Sequence, residues 1–158
     1  FLDSYGLTEI RRVPGHVVVI DRVPYAAHPR SKVSGADRML GNLAVLSNQL
    51  PGLLSSLLMN VTVNVVTLVK DDMEKQVAAI RRADVLIANH GAGLTHSLFL
   101  DKGARVVEMS CRYDFFVDMA EWLPDIHHYC QPEVHGQIEH KYWEEYVVSV
   151  VREALLSN

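Results

Sequence analysis

Short runs of β-branched residues alternate along this chain with amphipathic, helix-like segments, and this alternation restricts the fold more than any other feature. Continuous apolar runs such as Val17-Val18-Val19-Ile20 suit strands that are covered on both faces of a sheet. The fifth run is shorter and more polar, which predicts an edge strand. The predicted strands are His16–Asp21, Val61–Val69, Asp84–Asn89, Ala104–Met109 and Ile126–Gln131.

Six segments between and after these strands have helical periodicity. Asp37 can cap the first, whose apolar face has Met39, Leu40, Leu43, Leu46 and Leu50 and which Pro51-Gly52 should break. The third begins with acidic residues and ends with two arginines, as the helix dipole favours. The other predicted helices are Leu53–Met59, Asp72–Arg82, Leu94–Leu100, Asp114–Leu123 and Tyr142–Leu156.

Strands that alternate with helices predict a parallel sheet with helices on both faces. We therefore expect an α/β fold: one Rossmann-like, three-layer α/β/α domain over residues 1–158, with a mostly parallel five-stranded sheet in the order 3-2-1-4-5. The sequence starts at Phe1 without an initiator Met and has no apolar run of ~20 residues. We expect a piece of a longer polypeptide, with any membrane anchor outside it.

The charge balance limits the class of ligand. Lys and Arg total 15 against 19 Asp and Glu, for a formal charge of -4. A general nucleic-acid binder needs a basic face, so this balance argues against nucleic acid as a partner. A small phosphorylated ligand stays compatible, because a few local donors can bind a diphosphate.

The loop after the third predicted strand has the clearest chemistry. Gly91 and Gly93 permit backbone geometry closed to other residues and leave room for a ligand. The loop leads into a helix whose free N–H groups attract an anion, and two side chains add donors. Alternatively, the glycines serve only a tight turn, since the segment is neither a GxGxxG fingerprint nor a Walker loop. The candidate ligand-binding residues are His90, Gly91, Ala92, Gly93, Leu94 and Thr95.

Polar side chains after two other strands should reach the same edge of the sheet. Arg22, Arg30 and Lys32 belong to a predicted loop over residues 22–36, where an arginine can bind a diphosphate in bidentate fashion. A solvated loop is the alternative. Glu108 ends the fourth strand, where a carboxylate can accept hydrogen bonds from ribose hydroxyls or form a salt bridge at the sheet rim.

Several other residues carry weaker signals. His127, His128, His135 and His140 match no zinc-ligand spacing, so we expect surface and edge-strand histidines and no metal site. Cys111 and Cys130 follow adjacent predicted strands, which allows a disulfide, but we expect two free thiols. The triplet Asn60-Val61-Thr62 is a glycosylation sequon that leads into a predicted buried strand, so glycosylation there is not favoured.

Two stretches, Ala83–Leu100 and Gly103–Glu108, resemble glycosyltransferase family 61, which includes plant β-1,2-xylosyltransferases and EGF-domain-specific and protein O-mannose N-acetylglucosaminyltransferases. The matching hallmarks are an alanine-aspartate strand, the sequence HGAGLT, a phenylalanine near the end of the next helix, and a strand ending in Val-Val-Glu. Weaker similarity covers residues 13–131, including Glu74-Lys75-Gln76. His96 departs from the family's common asparagine, which implies altered local contacts or specificity.

The resemblance implies a GT-B fold, in which two Rossmann-like domains face each other across a cleft. This chain would be the C-terminal, donor-binding half of an inverting enzyme that takes GlcNAc or xylose from a UDP-sugar without a metal or cofactor. The segment 90–95 and Arg22 would face the diphosphate, Arg30 matches the family's downstream arginine, and Glu108 would lie near the nucleoside. The acceptor, a glycan or glycoprotein, would bind the missing N-terminal domain.

The resemblance also leaves alternatives open. The implied compartment is the lumen of the endoplasmic reticulum or Golgi for a eukaryotic protein and the cytoplasm for a bacterial one. The chain has no Asp-x-Asp motif, and we assign it no general base. A non-catalytic nucleotide-binding or interaction module is the alternative function. An NAD enzyme is disfavoured, because the first strand leads into no glycine-rich turn.

Overall fold

A computed structural model describes residues 2–22, 39–68, 72–111, 113–123 and 125–157. Its centre is a sheet of five strands in which every neighbouring pair is parallel. The predicted α/β fold with a parallel five-stranded sheet is therefore confirmed. The strands are β1 (His16–Ile20), β2 (Thr62–Val66), β3 (Val85–Asn89), β4 (Arg105–Met109) and β5 (His127–Cys130).

The strand order is β2-β1-β3-β4-β5, so the predicted order 3-2-1-4-5 is wrong. The polarity of the strands explains the difference. Thr62 and Asn64 on β2 are exposed, as suits a strand at an edge. All five residues of β3 are buried, as suits a strand in the centre. The predicted order would have put β3 at the edge and β2 inside.

Helices cover both faces of the sheet and complete three layers. On one face, Val17, Val19 and Ile87 pack with the helices α1 (Leu43–Ser47) and α2 (Leu50–Leu53) and with the C-terminal helix. That helix consists of α5 (His140–Tyr142), a π-helical segment (Trp143–Val148) and α6 (Ser149–Leu156). On the other face, the core strands pack against α3 (Met73–Arg81), α4 (Phe115–Glu121) and a 3₁₀ helix (Ala92–Phe99).

The first predicted helix is wrong in its bounds. It divides into α1 and α2 at Asn48 and Gln49, and Pro51 occupies the first turn of α2 rather than breaking a helix. Proline is tolerated there because its missing N–H would have no partner within the helix. Beyond Leu53 the predicted helix to Met59 is absent, and turns and bends take its place. The predicted cap, Asp37, lies outside the described residues.

Cys111 and Cys130 form a disulfide, so the expectation of two free thiols is wrong. Cys130 ends β5, and Cys111 follows β4 by two residues. Because β4 and β5 are hydrogen-bonded neighbours, the two Cα atoms lie 5.5 Å apart, within the usual range for a disulfide. Among the described residues, no helix has the length and apolarity that a membrane span requires.

A buried carboxylate at the amino edge of the sheet joins three strands. Asp84 is completely buried, and its Oδ2 accepts a hydrogen bond from the Gly15 N–H at 2.7 Å. Its Oδ1 forms an ion pair with the Arg12 guanidinium. Its backbone bonds to His16 and Arg105, the first residues of β1 and β4. Asp84 therefore holds together the first residues of β1, β3 and β4.

We predict that Asp84→Ala lowers the free energy of unfolding by about 3 kcal/mol, because it leaves a partly buried guanidinium and a buried N–H without their carboxylate. Urea denaturation at neutral pH measures the change. Lys102→Ala is the control, since it removes an exposed ion pair of 2.9 Å with Asp125 and should leave stability nearly unchanged. Equal midpoints for both variants would contradict the anchoring role.

Candidate functional site

The loop after β3 lies at the carboxyl edge of the sheet, as predicted. His90 is tied to the end of β4 by a hydrogen bond from its N–H to the Met109 carbonyl at 2.8 Å. Gly91 follows with φ 143° and ψ -175°, a conformation that favours glycine. The chain then enters the 3₁₀ helix at Ala92, two residues before the predicted start at Leu94.

Each glycine of the loop admits a close neighbour from β1 or its extension. A Cβ on Gly91 would lie 2.9 Å from Nη1 of Arg22, so this guanidinium sits directly against the loop. A Cβ on Gly93 would lie 3.2 Å from Cγ2 of Ile20, so Gly93 lets the helix pack onto β1. Packing therefore accounts for Gly93, whereas Gly91 accommodates a charged group.

Arg22 offers an unused donor at this edge. Its Nη1 is buried and has no hydrogen-bond partner among the residues that the structure describes. Leaving a buried donor unsatisfied costs about 1–3 kcal/mol, and more for a charged group. Such a group is therefore suited to a ligand with negative oxygens. Arg30 and Lys32, and the predicted loop beyond residue 22, lie outside the described residues.

The start of the 3₁₀ helix adds backbone donors. The Leu94 N–H donates to the Gly91 carbonyl at 2.9 Å. The N–H groups of the residues just before Leu94 belong to the first turn, where the helix offers no preceding carbonyl to accept them. The Thr95 side chain is exposed, and its hydroxyl donates to the Ala92 carbonyl at 2.7 Å. Direct donation from Thr95 to a ligand requires this hydroxyl to rotate, and its role there stays a prediction.

The 3₁₀ helix is fixed to α3 at two points. Near its start, the His96 ring bridges the Gly93 carbonyl at 3.1 Å and the Gln76 side chain at 2.9 Å. Burial lowers the pKa of His96, whereas its hydrogen bond to the Gly93 carbonyl acts to raise that pKa. At its far end, Arg81 donates to the Phe99 carbonyl at 3.2 Å. The loop is thus held in place before any ligand arrives.

A chain of three buried side chains lies behind the loop. His90 Nδ1 is in short hydrogen-bonding contact with Oε1 of Glu108, which is completely buried. The other carboxylate oxygen, Oε2, lies 2.8 Å from Nε2 of His128, but the two groups are not aligned for a hydrogen bond. The carboxylate is thus directed at two imidazoles, and its predicted contact with ribose stays a prediction. The arrangement leaves Nε2 of His90 for a ligand.

Aromatic rings surround the His90 imidazole. The Phe116 ring meets it edge-on at a centroid distance of 5.4 Å, and the Tyr113 ring lies 5.7 Å away. Phe116 belongs to the core, whereas Tyr113 is 65% exposed and Phe115 is 59% exposed. Tyr113 therefore gives the loop an exposed aromatic margin at the carboxyl edge, and Phe115 packs edge-on against Phe116 behind it.

The four histidines considered as zinc ligands differ in their exposure. His128 lies on the edge strand β5, as the expectation of surface and edge-strand histidines allows, but its side chain is only 4% exposed. The other three are exposed, and two of them pair with glutamates: His135 with Glu133 and His140 with Glu144. In the part of the chain that the structure describes, no group of three or more potential metal ligands is present.

Sequence reasoning missed His128 and Tyr113. Strand periodicity places Val106 and Glu108 on one face of β4, and His128 shares that face because it is paired with Val106 across the sheet. Finding it requires the register of β5, which the sequence does not specify. Tyr113 lies in the connection between β4 and α4, where no periodic pattern applies.

The chain is thus an α/β protein with a parallel sheet, and in open sheets of this class ligands bind at the carboxyl edge, where the glycine loop and the helix start lie here. Residues 3–107, which run from before β1 through the whole glycine loop to the third residue of β4, match the model of the family Glycosyltransferase 61. The chain belongs to glycosyltransferase family 61. A comparison with curated proteins found no match.

We predict that His90 is protonated at Nδ1 and that this proton resonates far downfield, because Glu108 accepts its hydrogen bond in a buried setting. Proton–nitrogen NMR spectra of the imidazoles measure this, with His90→Gln to assign the signal. Glu108→Ala should abolish the resonance, whereas Glu133→Ala, which removes the carboxylate from exposed His135, should not affect it. A His90 ring protonated only at Nε2 would refute the arrangement.

Proposed function

We propose that this chain is the donor-binding part of an inverting glycosyltransferase that transfers GlcNAc or xylose from a UDP-sugar to a hydroxyl of a glycan or protein. Membership of family 61 supports the reaction class. The observation that carries the assignment of the site is the buried, unpartnered Nη1 of Arg22, which lies against Gly91 beside a helix start. That combination suits the negative charge of a diphosphate.

The diphosphate would bind between Arg22 and the first turn of the 3₁₀ helix. Its oxygens would accept hydrogen bonds from the guanidinium and from the early N–H groups of the helix. His90 would add its Nε2, because Nδ1 is already in contact with Glu108. Gly91 leaves open the space in which arginine and phosphate meet.

The proposed chemistry is a single displacement at the anomeric carbon. The acceptor hydroxyl attacks, the bond to the diphosphate breaks, and negative charge grows on the departing phosphate. Fixed donors lower such a barrier because they need no reorganisation, and one donor typically contributes about 3 kcal/mol. The contacts of His96 with Gln76 and of Arg81 with Phe99 supply this rigidity. The loop and Arg22 would do the work of a metal ion, so we propose metal-independent transfer.

The nucleoside would lie on the aromatic margin of the loop. Tyr113 is near His90 and exposed, so its face is open to a planar base. Glu108 is completely buried and contacts two histidines, so we assign it the positioning of His90 rather than the recognition of ribose. The acceptor and the general base would come from a second Rossmann-like domain facing this edge, as in a GT-B enzyme.

The disulfide bears on the compartment. Disulfides persist in oxidising compartments and are rare in the cytosol. Cys111–Cys130 therefore supports the lumen of the endoplasmic reticulum or Golgi over the cytoplasm. Neither cysteine lies within residues 3–107, the part that matches the family model, so the compartment argument and the family argument are independent.

We predict that UDP binds this chain and that Arg22→Ala weakens binding about 10- to 100-fold, since hydrogen bonds from charged groups contribute about 1.5–3 kcal/mol. Calorimetric titration with UDP, UDP-GlcNAc and UDP-xylose measures the effect. Arg11→Ala is the matched control, because Arg11 is an exposed arginine that precedes β1 at the opposite edge of the sheet.

Gly91→Ala should also abolish binding, because the new Cβ would displace the guanidinium. Gly52→Ala adds a Cβ with nothing within 4 Å and should bind as the parent does. Equal affinities for Arg22→Ala and Arg11→Ala would refute the diphosphate site. In the enzyme that contains this chain, sugar transfer that survives chelation of metals would support the metal-independent reaction, and binding without turnover would indicate a non-catalytic module.

We predict that Tyr113→Ala weakens UDP about tenfold while leaving inorganic diphosphate unchanged, because stacking of a base on an aromatic ring is worth about 1–3 kcal/mol. Competition between the two ligands in the same titration separates base from phosphate. Trp122→Ala, which removes a 77% exposed ring at the far end of α4, is the control. Equal losses for UDP and diphosphate would place the base elsewhere.

A further inference from the structure

The start of β2 presents a side-chain amide to solvent. Asn60 is exposed, and so is Thr62, two residues later at the first position of the strand. The backbone here is anchored to Gly15, whose carbonyl accepts the Thr62 N–H at 3.0 Å. The expectation that this sequon runs into a buried strand is wrong, because β2 is the exposed edge strand of the sheet.

We propose that Asn60 carries an N-linked glycan. The triplet Asn60-Val61-Thr62 is the acceptor sequence of oligosaccharide transfer, and exposure of Asn60 leaves space for the product. Attachment takes place in an oxidising secretory compartment, and the Cys111–Cys130 disulfide indicates such a compartment independently of the sequon. The inference does not rest on the proposed donor site.

The position of Asn60 is compatible with function. It precedes β2 and therefore lies at the amino edge of the sheet, whereas the glycine loop lies at the carboxyl edge. A strand of five residues, ~16 Å long, separates the two edges. A glycan on Asn60 would extend away from the donor site and leave it open.

A glycan here would also cover an apolar side chain. Leu58, two residues before Asn60, is the most exposed large hydrophobic residue of the described chain, with a relative exposure of 108%. A bulky hydrophilic group beside it shields this surface from other molecules. A glycan on Asn60 would thus explain why both Leu58 and Asn60 are exposed.

The modification is a group transfer with a defined balance. The donor is a lipid-linked oligosaccharide diphosphate, which the secretory pathway supplies. The bond between the anomeric carbon of the glycan and the diphosphate oxygen breaks, and that carbon bonds to Nδ2 of Asn60. The lipid diphosphate leaves with the bonding electrons, and the amide loses one proton.

The test is expression of the full chain behind a secretion signal in cultured eukaryotic cells. Electrophoresis before and after peptide N-glycosidase treatment, with mass spectrometry of the peptide containing Asn60, reads the result. We expect a mobility shift on treatment and conversion of Asn60 to aspartate. Asn60→Gln and Thr62→Ala should abolish the shift, and Thr62→Ser should retain it.

Asn64→Gln is the matched control, because Asn64 is an exposed asparagine on the same strand that no sequon includes. Retained intracellular chain is analysed beside secreted chain, since glycan attachment precedes folding and a folding defect does not prevent it. An unmodified Asn60 in translocated chain whose Cys111–Cys130 disulfide has formed would overturn the proposal. Loss of UDP binding with Asn60 modified would count against the donor site alone.

Discussion

The site depends on the position of β3 between β1 and β4. Parallel neighbours end at the same edge, so this order brings Arg22, two residues after β1, against the glycine loop after β3. It also aligns Ala88 on β3 with Glu108 on β4, which places His90 beside that carboxylate. Any order that separates β3 from either neighbour would break one of these two contacts.

The sequence predicted the elements of the fold better than their arrangement. All five strands were predicted from short β-branched runs, because burial on both faces leaves a strong apolar signal. The order was not, because it depends on which strand buries most surface, and the polar positions Thr62 and Asn64 indicate this only once β2 is compared with β3. The wrong strand order also gives a wrong site, because order 3-2-1-4-5 separates Arg22 from Gly91 and His90 from Glu108.

Buried charged side chains lie at both edges of the sheet. At the amino edge, Asp84 is buried with the Arg12 guanidinium and the Gly15 N–H, a satisfied arrangement that joins strand entries. At the carboxyl edge, Arg22 has a buried nitrogen without a partner among the described residues. Unsatisfied groups are costly, so they tend to persist where a ligand compensates for them. Arg105 Nε is likewise buried without a described partner at the amino edge, so Arg22 supports a ligand at the carboxyl edge only together with the glycine loop beside it.

The 3₁₀ winding of the segment after Gly91 has its own consequence. Three residues complete a turn, so the eight residues from Ala92 form straight columns, and burial repeats every third position: Leu94 and Ser97 are buried, while Ala92, Thr95 and Leu98 are exposed. At ~2.0 Å per residue the segment spans ~16 Å, against ~12 Å for an α-helix of equal length. The exposed column is thus a straight ridge that extends from the glycine loop back toward the amino edge of the sheet, where Asp101 meets Arg12. Side chains along it can vary without disturbing the column that holds His96.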